Sequence, residues 1–197
     1  PIDLTLFNDN SELRLKKNEK FTFFCPQRMG IPKGTDILWK ALQFCKSDFQ
    51  ILQVDWRDTG TDEENSTSLR LRENLPSQVK LIPMIKRKDI PGYYHSCDAV
   101  IGNLRIGSFE YVELEAIMCK KPVISFNDKK IKIFLDDKET ESPFIPDTNN
   151  PKDIAQVIDK FVVSDQFRQN IFKKEYDFVQ NISDPKKAGE WWDSLFK

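Results

Sequence analysis

The sequence contains one histidine and four cysteines, and it has no excess of charge of either sign. The cysteines form no Cys-x-x-Cys pair, so neither a zinc site nor a disulfide framework has the ligand spacing that it needs. The thiols are therefore predicted to be reduced and mostly buried, as in a cytoplasmic protein. The 30 basic and 31 acidic residues give a net charge of −1, which argues against nucleic acid as a partner.

Long apolar segments are also missing from the sequence. No run approaches the roughly 20 apolar residues that cross a bilayer, and no signal-peptide pattern starts the chain. A length of 197 residues suits one sizeable domain better than two. The first residue is Pro1 and not a methionine, so we expect the chain to be a piece of a longer protein.

Short apolar runs alternate with helical patterns over most of the chain. Strands are predicted at 21–25, 50–56, 79–82, 98–101, 122–126 and 142–145. Helical periodicity begins at Thr35, is short at 90–97, and dominates the last third, where Asn150 is placed to cap a helix that starts at Pro151. The alternation predicts an α/β fold, a doubly wound parallel sheet of about six strands with helices on both faces and a helical C-terminal segment.

The most informative stretch is the turn and amphipathic helix that begin at Gly107 and precede the strand near Val123. Amides at a glycine turn and at a helix N-terminus can hold a diphosphate, and a glutamate further along, here Glu115, can accept hydrogen bonds from a ribose. Ser108 is the expected cap of this helix. A carboxylate at Glu110 would repel a diphosphate, so we expect it to point away or to contact a sugar hydroxyl.

Two cations stand in the loop that follows the first predicted strand. Arg28 and Lys33 lie at the carboxyl edge of the sheet, where parallel sheets bind ligands. A forked guanidinium and a point ammonium suit the charge that grows on a departing phosphate. Taken alone, they are better explained as surface cations beside a turn, and Glu115 has the alternative of being only a cap or a salt-bridge partner.

These features together resemble one family. Arg28-x4-Lys33 in the early loop, Leu-Glu-Ala at 114–116 and Lys-Pro-Val at 121–123 are similar to the motifs of the C-terminal domain of GT-B-fold retaining glycosyltransferases, the group 1 family. The resemblance covers nearly the whole chain. It implies a single Rossmann-like domain over 1–197 that binds a nucleotide sugar, with an interdomain linker at 1–18 and the N-terminal acceptor domain absent.

The resemblance also implies roles for particular residues. Arg28 and Lys33 would act catalytically at the donor diphosphate, and Glu115 would bind the ribose. The remaining substrate-binding residues would be Gly107, Ser108, Phe109 and Glu110 at the diphosphate, with Met84 and Ile85 at the base. The donor would be a UDP-sugar or GDP-sugar, with no cofactor and no metal ligand set. The full enzyme would be cytoplasmic, and the resemblance is compatible with a peripheral association of that enzyme with a membrane.

The chain departs from the family pattern at two notable positions. Gly107 stands where the family has a first glutamate that contacts the transferred sugar, and Lys120 replaces a glycine where a left-handed backbone is wanted. Two alternatives to a glycosyltransferase therefore stay open. One is a nucleotide-sugar epimerase of the same fold, and the other is a non-catalytic nucleotide-binding module. We expect the isolated piece to bind a nucleoside diphosphate weakly and to transfer nothing.

Overall fold

A computed structural model describes residues 2–9, 15, 18–57, 60–135, 138–182, 189–190 and 193. Pro1, the Asp-Pro pair at 184–185, for which a further helix start was predicted, and the tryptophan pair at 191–192 lie outside the described residues.

A parallel sheet of five strands forms the centre of the described chain. The strands are β1 Thr22–Cys25, β2 Gln50–Val54, β3 Val79–Ile82, β4 Ala99–Ile101 and β5 Val123–Ile124. Their order is β3-β2-β1-β4-β5, and every neighbouring pair is parallel. The chain first adds strands on one side of β1 and then continues on the other side, so the strand order reverses between β1 and β4. Open α/β sheets bind their ligands at such a reversal, outside the carboxyl ends of the strands.

Helices cover both faces of this sheet, as predicted. They are α1 Thr35–Leu42, α2 Asp62–Glu73, α3 Ile90–Ser96, α4 Tyr111–Met118, α5 Pro151–Val163 and α6 Asp165–Ile182. Apolar residues of α1, α2 and α5 pack in one core cluster, those of α3 and α4 pack in the other, and α6 contributes to both. The last two helices form the helical C-terminal segment, and the Asn150 side chain accepts a hydrogen bond from the Lys152 amide (2.9 Å) as the predicted cap.

After Thr22, the central strand β1 is an unbroken apolar run because both of its faces are covered. In β1, Phe23 and Cys25 point into the first core cluster, whereas Phe24 points into the second. The N-terminal segment joins the second cluster, where Phe7 is fully buried against the ring of Tyr94. Both cores therefore meet on the central strand.

The strand prediction after β5 is wrong in one respect. Residues 142–145 are not a strand, although the Ser125 amide donates to the Ile145 carbonyl (3.0 Å) beside the end of β5. The sequence analysis also missed a short antiparallel hairpin that precedes this segment, with β6 at Ile133–Leu135 and β7 at Lys138–Thr140. β6 is a run of only three apolar residues between lysines and aspartates, and β7 contains no apolar residue, so neither resembles the runs from which the buried strands were predicted.

The thiols and the left-handed position at the end of α4 agree with the sequence analysis. Cys25, Cys97 and Cys119 are buried free thiols, and Cys45 is a half-buried one. Lys120 has φ +60°, and its ammonium lies 3.5 Å from the centre of the Tyr176 ring. Within the described part of the chain, no helix is both long enough and apolar enough to cross a membrane.

Candidate functional site

A cavity of about 340 Å³ opens at the carboxyl edge of the sheet, between the loop after β1 and the start of α4. It is lined by Pro26, Gln27, Arg28, Lys33, Trp56, Arg87, Ile90, Tyr94, Glu110, Tyr111, Val112 and Glu115. Three of these side chains are cationic and two are acidic, which leaves a surplus of one positive charge. The cavity lies at the reversal of strand order, where the fold alone predicts a ligand site.

The two cations of the early loop both reach this cavity. The Arg28 guanidinium lies 5.7 Å from the centre of the Trp56 ring. Lys33 ends a short 3-10 turn that is followed by Gly34, which has φ +74°. A Cβ at position 34 would come within 2.9 Å of the Leu104 carbonyl carbon, so glycine lets this loop pack closely against the loop after β4. That close packing fixes the position of Lys33.

Lys33 is paired directly with Glu110 inside the cavity. Its ammonium lies 2.5 Å from Oε1 and 2.7 Å from Oε2 of that carboxylate. The side chains are 17% and 30% exposed, so the pair is partly shielded from water. Of the two alternatives expected for Glu110, pointing away from the site is wrong, because its side chain lines the cavity and neutralises the cation there. Contact with a sugar hydroxyl stays a prediction.

Glu115 is held by a second ion pair, whose cation, Arg87, the sequence analysis did not identify. Its side chain is 5% exposed, and Oε1 accepts a hydrogen bond from Arg87 Nη2 at 2.7 Å. The Arg87 guanidinium also lies 4.9 Å from the centre of the Phe7 ring. Burial raises the pKa of Glu115, and the hydrogen bond from Arg87 works against that rise. Arg87 therefore keeps a buried carboxylate available at the cavity wall.

A third glutamate ties the start of α4 to the sheet. Glu113 is fully buried, and its carboxylate accepts hydrogen bonds from the amides of Asn103 (2.9 Å) and Glu110 (2.8 Å) and from the Ser125 hydroxyl (2.9 Å). Burial raises its pKa, and these donors favour the ionised form. The only signal in the sequence is the spacing Glu110-x-x-Glu113, a capping box in which glutamate replaces the usual serine or threonine.

Glu110, and not Ser108, is the cap of α4. The helix begins at Tyr111, and the Glu110 side chain accepts a hydrogen bond from the Glu113 amide. The predicted cap is therefore wrong by two residues. Phe109 does not line the cavity either; its ring packs 5.9 Å from that of Phe144 and 5.6 Å from that of Phe178.

Gly107 lies where only glycine fits. Its φ is +81°, and an added Cβ would lie 2.5 Å from the Asp128 Cβ. The Asp128 amide donates to the Gly107 carbonyl at 2.9 Å, which holds the two loops together. The family glutamate could not stand here without moving the loop at 128, so glycine at this position is built into the local backbone.

Met84 and Ile85 follow β3 but do not belong to the residues that line the cavity. Met84 is 58% exposed, and Ile85 is partly buried against the second core cluster. The structure thus brings together Arg28, Lys33, Glu110 and Glu115, whereas 84–85 and 107–109 are not among the residues that line the cavity. Across the described ranges, no group of three or more histidine, cysteine or acidic side chains could hold a metal ion.

The family whose sequence profile matches residues 7–178 is described as "Glycosyl transferases group 1". The chain belongs to this family. The match covers most of the chain and includes both the early loop with Arg28 and Lys33 and the helix with Glu115. No curated protein matches the sequence of this group 1 glycosyltransferase chain.

Several solved structures share the fold of the chain. HepE from Anabaena, in complex with UDP and glucose, has a TM-score of 0.70 at 19% identity, over 98% of this chain and 55% of that one. Sucrose-phosphate synthase from Thermosynechococcus elongatus has a TM-score of 0.71 at 18% identity, over 99% and 51%. The chain therefore spans about half the length of these proteins.

A third similar structure is itself a single domain. The C-terminal domain of the group 1 protein LpcC from Francisella tularensis has a TM-score of 0.64 at 20% identity, and the match covers 91% of this chain and 97% of that domain. The Rossmann-like fold inferred from the sequence is thereby confirmed.

Proposed function

We propose that this chain is the C-terminal, donor-binding domain of a glycosyltransferase and that its cavity holds the nucleoside diphosphate of a sugar donor. The observation that carries this proposal is the meeting of Arg28 and Lys33, from the loop after β1, with Glu115, from α4, around one cavity. Cations suited to phosphate and a carboxylate suited to ribose hydroxyls thus face the same space. Family membership and the fold support the same function.

In this proposal Arg28 and Lys33 contact the diphosphate and neutralise the charge that grows on it as the sugar departs, without a metal ion. The backbone of 107–109 borders the same phosphates from the turn before α4. Glu115 accepts hydrogen bonds from the ribose, with Arg87 as the residue that orients it. Met84 and Ile85 border the base at the outer end of the site.

The acceptor would be held mainly by a second domain. Large exposed apolar side chains follow the carboxyl ends of β1 to β4 and stand at the start of α4: Ile31, Trp56, Met84, Ile106 and Tyr111. A group of exposed apolar side chains of this kind is typical of a surface that another domain or a substrate covers. We propose that the full enzyme transfers a hexosyl or related group from a UDP-sugar or GDP-sugar and that this domain alone transfers nothing. The four free thiols support a cytoplasmic location.

Calorimetry on this chain with UDP and with GDP tests the proposal. UDP is a suitable probe because HepE was crystallised with it. We expect weak binding of one of the two, and a loss of about tenfold or more in Arg28→Ala, since a charge-assisted contact to phosphate is worth roughly 1.5–3 kcal/mol.

Arg72→Ala is the matched control for Arg28→Ala. Arg72 pairs with Asp55 at 2.8 Å and does not line the cavity, so its loss should leave affinity unchanged. Absence of heat with both nucleotides at millimolar concentration would contradict the proposal. If either nucleotide binds, product analysis of the full-length enzyme with and without acceptor would separate transfer of the sugar from epimerisation of the donor.

A further inference from the structure

Lys33 and Glu110 form an ion pair within the cavity. Lys33 comes from the loop before α1 and Glu110 caps α4, 77 residues later in the chain, yet the ammonium contacts both carboxylate oxygens at 2.5 and 2.7 Å. An ammonium has three donors, and this contact commits two of them to Glu110. The cation that would receive a phosphate is therefore already neutralised by the protein.

The Glu110 carboxylate is already occupied by donors of the protein in this arrangement. Besides the two contacts from Lys33, Oε2 accepts from Asn103 Nδ2 at 3.0 Å. A carboxylate offers about four lone-pair sites, and these contacts engage three of them. Glu110 can accept hydrogen bonds from a pair of ligand hydroxyls only after Lys33 moves away from it.

A ligand with a phosphate but no neighbouring hydroxyls breaks this pair at a cost. It takes the Lys33 ammonium and leaves the half-buried Glu110 carboxylate short of two donors, beside another negative charge. A ligand with a phosphate and sugar hydroxyls next to it supplies a partner to each half. Its phosphate replaces Glu110 at Lys33, and its hydroxyls replace Lys33 at Glu110.

We propose that Glu110 is a specificity-determining residue that makes the cavity favour an intact nucleoside-diphosphate sugar over the free nucleoside diphosphate. This inference rests on the proposed function, since it places the diphosphate at Lys33. The ribose does not supply the missing hydroxyls, because Glu115 and Arg87 form a separate pair for it. After transfer of the sugar, Lys33 and Glu110 pair again, and the nucleoside diphosphate is released more readily.

The test compares dissociation constants of UDP and UDP-glucose, and of GDP and GDP-mannose, by calorimetry on this chain. Glu110→Gln keeps the shape of the side chain but removes its charge. We expect the preference for the nucleotide sugar over its nucleoside diphosphate to fall about tenfold in this variant, mainly because the nucleoside diphosphate binds more tightly. Glu139→Gln, which removes the exposed pair with Lys132 (2.9 Å), should leave the preference unchanged.

Lys33→Gln supplies a second test that does not depend on the cap of α4. It leaves the Glu110 carboxylate in place without its cation, so the nucleoside diphosphate should lose more affinity than the nucleotide sugar. The preference should then move in the direction opposite to that of Glu110→Gln. An unchanged preference in Glu110→Gln, or a shift of both variants in one direction, would overturn this inference alone. Failure of the parent chain to bind any of the four ligands would overturn the proposed function with it.

Discussion

At the scale of single residues, Gly107 shows how a position can depart from a family motif for a local reason. The left-handed backbone and the contact with Asp128 both require a residue without Cβ. We expect Gly107→Ala to lower the free energy of unfolding by about 2–4 kcal/mol, from backbone strain and steric overlap together. Gly189→Ala is the control, because an added Cβ there meets nothing within 4 Å. Equal urea unfolding midpoints for the two variants would contradict the requirement for glycine at position 107.

Glu175 is a buried residue whose ionisation should make stability depend on pH. It is fully buried on α6; Oε2 accepts from the Val123 amide at 3.0 Å, and Oε1 has no partner among the described residues. Burial raises the pKa of Glu175 well above its ordinary value. The folded chain therefore binds more protons than the unfolded chain between these two pKa values, and stability falls as pH rises through that window.

Glu175→Gln removes this titration. We expect the free energy of unfolding of the variant, relative to the parent, to rise from about pH 5 to about pH 8. Urea titrations of both chains across this range measure the difference, in which the contributions of all other groups cancel. Parallel pH profiles for the parent and the variant would show that Glu175 has an ordinary pKa in the folded chain.

The sequence predicted several residues that line the cavity but could not pair them. The position of Arg28 and Lys33 after an apolar strand was enough to place them at the correct edge of the sheet. Their partners were not accessible in the same way, because Glu110 lies 77 residues from Lys33 and Arg87 lies 28 residues from Glu115. Pairs at such separations are set by tertiary packing, and surface cations such as Arg87 carry no local signal of it.

At the scale of elements, the carboxylate of Glu113 joins α4 to the ends of β4 and β5. Glutamine cannot replace it, because the amide nitrogen of glutamine is a donor whereas both carboxylate oxygens of Glu113 accept. In one orientation that nitrogen would face the Glu110 amide, and in the other it would face the Asn103 amide and the Ser125 hydroxyl. We expect Glu113→Gln to destabilise the chain by about 2–3 kcal/mol. Ser125→Ala, which removes only one neutral donor, should cost about 1 kcal/mol. If guanidinium unfolding gave similar losses of stability for Glu113→Gln and Ser125→Ala, the central role of the Glu113 carboxylate in this network would be contradicted.

Element boundaries were predictable where the sequence itself interrupts the backbone pattern. β1 and β3 end at the residues before Pro26 and Pro83, and α5 begins at the predicted proline. The predictions failed after β5, where the sequence at 127–145 has little apolar periodicity. There the chain forms an exposed hairpin and an extended segment that contacts β5 only locally.

At the scale of the whole molecule, the central strand should be the last part to open. β1 pairs with β2 and β4, all four of its residues are buried, and it contributes to both core clusters. We expect its amides to exchange with solvent most slowly, whereas amides of the exposed β6–β7 hairpin should exchange at least about 100-fold faster. Hydrogen exchange followed by mass spectrometry measures both, and equal protection of the two would contradict this order.

The four thiols, three of them buried and one half-buried, allow the loss of structure to be followed at four separate places. Burial raises the pKa of Cys25, Cys45, Cys97 and Cys119 to about 12, and only the thiolate reacts rapidly with alkylating reagents. Iodoacetamide should thus modify the native chain very slowly. The four thiols lie at or just after the ends of β1, α1, α3 and α4. The order in which they are labelled under mild denaturation would therefore give the order in which these parts of the domain unfold.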